Sequence, residues 1–107
     1  MSEDSGVLYG IVDLSDNSTV VYAGPCYFIG AIVTTITSAH VCPIQDGTSV
    51  IAATIATAPV GTEINGHRVR CATNLTVDPH DDATGIMVVY YEPNHFGLAG
   101  SGAGLPA

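Results

Sequence analysis

Apolar and polar positions along this chain alternate in short bursts rich in Val, Ile, Thr and Tyr, separated by clusters of turn residues. No segment repeats an apolar residue every three to four positions between capping residues, so the pattern predicts strands and no helix. Val7–Leu14 and Thr19–Ala23 read as strands on either side of the polar turn Ser15-Asp16-Asn17-Ser18. After Gly24-Pro25, Cys26–Ser38 reads as one long extended segment, in which Gly30 marks a bend or a close approach of another backbone. Val41–Gln45 contains Pro43, which predicts an edge position or a bulge. Asp46-Gly47 predicts a hairpin closed by a type I′ turn, leading into a strand over Ser49–Ala58. Residues 59–66 are turn-rich, with a short edge strand around Thr62–Ile64.

The strictest alternation lies over His67–Val77. Val69, Cys71, Leu75 and Val77 fall on one face, and Arg68, Arg70, Ala72, Asn74 and Thr76 on the other. Asp78–Gly85 reads as a loop. Ile86–Glu92 is apolar on both faces, with Ile86, Val88 and Tyr90 on one and Met87, Val89 and Tyr91 on the other, so each face requires cover. Seven or eight short strands make this an all-β chain, a single small antiparallel β-sandwich or jelly-roll-like domain. That domain spans residues 6–93, between an N-terminal arm (1–5) and a Gly/Ala-rich C-terminal arm (94–107) that carries Phe96 and Leu98.

Composition sharpens this picture. Only 11% of the 107 residues are charged, against about 25% in ordinary soluble domains, and lysine is absent. Apolar strands with so few ions imply surface that neighbouring polypeptides cover. Ten carboxylates against two arginines give a formal charge of −8. Nucleic-acid binding needs several cations to displace counterions and is not expected. No run approaches the roughly 20 apolar residues that cross a bilayer as a helix, so no membrane partner is expected either. The acidic, polar start is unlike a secretory signal and predicts synthesis in a cytoplasm. Cys26, Cys42 and Cys71 are odd in number and irregularly spaced, which predicts buried reduced thiols rather than a disulfide framework or a zinc site. Asn17 and Asn74 head two N-x-[ST] matches, read as chance in a chain this rich in Ser and Thr.

Candidate chemistry is sparse. Asp78, His80, Asp81 and Asp82 crowd oxygen donors into one loop that could hold calcium, but without EF-hand spacing they read as a solvated turn, and no metal or other cofactor is expected. His40, His67, His80 and His95 are candidate ligands or bases. Ser38 lies two residues from His40, on the same face if that segment is a strand, yet no nucleophile elbow accompanies it. No catalytic residues are therefore expected; a small jelly-roll hydrolase is the remaining enzymatic reading. Tyr9, Tyr22, Tyr27, Tyr90 and Tyr91 could stack on sugars or fill strand faces and subunit contacts. Arg68 and Arg70, two apart on one strand, could clamp carboxylates of an adjoining subunit. Those arginines, with Met87, Val89, Tyr91, Phe96 and Leu98, are the expected partner-binding residues.

Val7–Val12, Cys26–Val33, the hairpin Pro43–Gly47 with Val50–Ile55, the 66–78 strand and the closing Gly85–Tyr91 resemble the small β-sandwich structural proteins of tailed-phage virions. The resemblance spans residues 6–93 and rests on strand lengths, the Asp-Gly hairpin and the terminal Val-Tyr-Tyr strand. It implies a non-enzymatic capsid decoration or cement subunit, homotrimeric, bound to the major capsid protein on the head exterior. The alternative is a tail or receptor-binding tip module recognising host-surface glycans.

Overall fold

A computed structural model describes residues 6–94. Among them are eight strands and no helix: β1 (Leu8–Asp13), β2 (Thr19–Tyr22), β3 (Cys26–Thr35), β4 (Pro43–Asp46), β5 (Ser49–Ala53), β6 (Glu63–Cys71), β7 (Leu75–Val77) and β8 (Ile86–Pro93). They form two four-stranded sheets, ordered β1-β8-β3-β6 and β2-β7-β4-β5. The antiparallel pairs β1·β8, β2·β7, β3·β6 and β4·β5 nest like one long hairpin, and β3·β8 and β4·β7 join them into sheets. Every connection except the β4–β5 turn crosses between sheets, which is the wrapping of a jelly roll.

The core lies between the sheets. Val12, Leu14, Phe28, Ala31, Met87 and Val89 of the first sheet and its flanks meet Ile44, Leu75 and Val77 of the second. Alternation along each strand supplies this layer. Cys26, Cys42 and Cys71 are free and fully buried, in line with the sequence reading. Burial, then the neighbouring Cys71, pushes the Cys26 thiol up to about 12.

The expected segments are present with four corrections. First, the alternating run His67–Val77 is two strands in different sheets, broken at residues 72–74, and the short strand expected around Thr62–Ile64 is the start of the first of them, β6. Alternation resumes beyond the corner, so periodicity passes over the break, and Val69 is exposed rather than core. Second, the sharp turn is Gly47-Thr48, one residue later than expected. Positive φ occurs at Gly47 (61°) and not at its neighbours, the type II′ rather than the type I′ requirement. Third, β4 is a central strand rather than an edge; of the two expectations for Pro43 the bulge is present, at Ile44/Gln45, with Pro43 as the strand's first residue. Fourth, β3 ends at Thr35 and β5 at Ala53, because side chains take over the pairing. The Cys42 N–H donates to Thr54 Oγ1 (2.9 Å) and the Ala58 N–H to Thr37 Oγ1 (2.6 Å).

Asp46 latches the β4–β5 hairpin to the β6–β7 corner. Its carboxylate accepts the N–H groups of Ala72 (3.0 Å), Thr73 (2.9 Å) and Asn74 (3.3 Å), while Asn74 Oδ1 accepts the Gly47 N–H (3.0 Å). Desolvation works to raise the Asp46 pKa, but the three N–H donors together outweigh it and hold the carboxyl below its ordinary value. A depressed folded-state pKa contributes stability above the unfolded value, and that contribution is lost as pH falls through the folded value. Asp46→Asn should therefore cost about 1 kcal/mol at pH 7, given partial solvent screening. Urea unfolding at pH 7 and pH 3 should show the deficit shrinking in acid.

Candidate functional site

Register assigns the outward face of the first sheet directly. In rows across β1, β8, β3 and β6 stand Tyr9, Tyr90, Gly30 and Asn65, then Ile11, Val88, Ile32 and Glu63. Opposed residues in an antiparallel pair share a face, so these rows form one band of aliphatic and aromatic groups on the solvent side. Tyr9 is 63% and Ile11 67% exposed. The corresponding row on the second sheet is Val20, Thr76, Gln45 and Val50, polar in its middle. Among the described residues, the outward rows of the first sheet thus form a continuous apolar band, the kind of surface that marks an interaction site.

A shallow groove of about 510 Å³ lies in that band, between Ile29, Ile32 and Tyr90, with Glu63 and Asn65 on its polar side. Gly30 lines its floor, and the close approach of β3 and β6 beside it depends on a second glycine, Gly66. A Cβ on Gly30 would lie 2.7 Å from the Ile64 carbonyl oxygen, and one on Gly66 2.5 Å from that of Phe28. The close backbone approach expected at Gly30 is thus present. Opposite Ile29, β6 bulges over residues 66–68, with His67 and Arg68 at positive φ.

Both arginines lie beside Tyr27, Arg68 over its ring and Arg70 opposite it in register. Arg68 is 4.4 Å from the Tyr27 ring centroid and pairs with Glu92 of its own chain. Its carboxylate partner within the chain is therefore Glu92. Arg70, opposite Tyr27 in register, is exposed and makes no ion pair within the described residues. These groups, with Asp13 opposite Ile86 at the other end, give the apolar band a charged rim, the usual anatomy of a protein interface.

The partner face expected of the last strand is reversed. Met87 and Val89 are fully buried inside the sandwich, and Tyr91 packs on the core with its ring 5.2 Å from that of Tyr22. Both faces of β8 are apolar, so its own periodicity cannot orient it. The register with Val12 and Val33 turns Met87 inward, leaving Ile86, Val88 and Tyr90 outside. Tyr9 and Tyr90 stand directly opposite one another, whereas Tyr22 and Tyr91 lie on the core side. Phe96 and Leu98 lie outside the described residues.

Ser38 and His40 sit in the β3–β4 loop rather than on a strand. Ser38 Oγ accepts the N–H groups of His40 (3.4 Å) and Thr84 (3.3 Å), a loop-stitching role. His40 also stacks on His80 of the β7–β8 loop, with ring centroids 4.0 Å apart. Sequence separation hid that meeting; only the sheet topology brings these loops together. Comparison with known proteins returned no matching family model, curated protein or solved structure.

Proposed function

We propose that this chain is a virion structural subunit, a decoration or cement protein that self-associates as a trimer and binds the major capsid protein on the exterior of a phage head. The observation that carries this reading is the continuous apolar band Tyr9, Ile11, Ile32, Val88 and Tyr90, bounded by charge, on one side of a small jelly roll. A charge-poor surface of this kind favours a permanent neighbour, and closed symmetry covers it without leaving a growing edge. The groove beside Tyr90 suits an aromatic or aliphatic anchor from an adjoining copy. Arg70 is available to a carboxylate across the contact. The acidity suits an outer shell facing solvent rather than packaged DNA.

A second reading, a tail-tip module that stacks host glycans, draws on the Tyr9–Tyr90 pair beside the groove. Copy number in purified virions, with antibody labelling of heads and tails, separates the two. Hundreds of copies on the head support the decoration reading; three to a few dozen on the tail support the glycan module. Absence from particles overturns both. A chain ending at Asn94, lacking Phe96 and Leu98, should melt with the full-length protein but occupy capsids at least about tenfold less tightly, a loss of about 1.4 kcal/mol. Unchanged occupancy would remove the C-terminal arm from the account.

A further inference from the structure

Two loops at one end of the sandwich bring together side chains 40 residues apart. His40 belongs to the β3–β4 loop, and His80 and Asp82 to the β7–β8 loop. The loops are held in place by backbone bonds, from the Ser38 N–H to the Thr84 carbonyl (3.1 Å) and from the Ala83 N–H to the His80 carbonyl (2.9 Å). Ala83 is buried at 2% exposure and pins the second loop to the core. On that support the two imidazoles lie parallel, within 4° and with centroids 4.0 Å apart. One donor atom from each ring and one Asp82 carboxylate oxygen all fall within 4.8 Å of one another.

We propose that His40, His80 and Asp82 form a binding site for a divalent transition-metal ion, zinc foremost, that clamps the β3–β4 loop to the β7–β8 loop. The donor set decides the class of ion. Two imidazole nitrogens and one carboxylate suit zinc, nickel or copper, whereas calcium and magnesium take oxygen cages. Distance decides feasibility. Two donors at about 2.0–2.2 Å from a shared ion stand no more than about 4.4 Å apart, so the observed cluster closes with small side-chain rotations.

Imidazole lone pairs lie in the ring planes, so the parallel rings tilt out of their stack to converge on one ion. His80 Nδ1 accepts the Asp82 N–H at 3.0 Å, which places that ring's proton on Nε2. Coordination through Nε2 moves the proton to Nδ1, and the Asp82 N–H turns to water. No proton is released in that exchange. His40 is half-buried while His80 and Asp82 are exposed, so an ion reaches the cluster from solvent without opening the fold. Three protein donors leave one tetrahedral position for water or for a donor on a neighbouring subunit.

The test uses the untagged full-length protein, freed of metal with chelator, and zinc chloride as the probe. Calorimetric titration at pH 7.5 should give one zinc per chain, a melting temperature that rises with zinc, and no response to magnesium or calcium. His80→Gln and Asp82→Asn, both at exposed positions, should leave the metal-free melting temperature unchanged and weaken zinc binding at least tenfold. The Asp82 amide resonance should shift on zinc addition in the parent and stay fixed in His80→Gln. Absence of saturable binding, or binding equally tight in both variants, overturns the proposal.

Discussion

An Ile11→Arg chain should remain folded and lose self-association by about 100-fold or more. Ile11 is 67% exposed at the edge of the first sheet, so the single copy has little to lose. Surface changes of this kind usually stay within about 0.5 kcal/mol. In the proposed assembly the same position, opposite Val88 in register, is covered by a neighbouring copy. A guanidinium buried there without a partner costs about 3 kcal/mol, equivalent to about 100-fold in affinity. Val20→Arg is the matched control, because Val20 is 53% exposed on the outward side of the second sheet and adds the same charge. Light scattering over a concentration series should show Ile11→Arg as single copies and Val20→Arg assembled like the parent. Equal behaviour of the two variants would remove the first sheet's outer face from the contact.

Gly66→Ala should lower the domain's own stability substantially, although it adds only one methyl group. The added Cβ would meet the Phe28 carbonyl oxygen at 2.5 Å and the Ile29 carbonyl at 2.6–2.7 Å, all backbone atoms that no rotamer change can move. Strands β3 and β6 would have to separate at the bulge. Overpacking of this kind costs about 1–3 kcal/mol and occasionally more, which places the loss in melting temperature at about 4–24 °C for a domain of this size. Gly61→Ala gives the contrast: no atom lies within 4 Å of a Cβ there, and the cost is confined to its positive φ of 93°. A Gly66→Ala protein that melts with the parent would contradict the close approach of β3 and β6.

The fold was legible in the chain because strand existence depends on local alternation and turn residues, both of which are strong here. Gly30 and the 46–48 region declared themselves through residue types that only unusual backbone geometry requires. What stayed hidden was long-range. Nothing local tells β8 which of its two apolar faces is inward; the pairing of Met87 with Val12 and Val33 decides it. The run from His67 to Val77 keeps its period across a corner where the chain changes sheets, so a single strand was the natural reading. The Arg68–Glu92 pair and the His40–His80 stack join residues 24 and 40 positions apart, contacts that the jelly-roll wrapping creates and no motif announces.

The central claim, that copies of this chain cover the outer face of the β1-β8-β3-β6 sheet, is tested most directly by sedimentation equilibrium of the unmodified protein from micromolar to millimolar concentration. A mass near three times 11.0 kDa, falling to one copy only on dilution, is the predicted result. A mass of 11.0 kDa throughout that range would contradict the account.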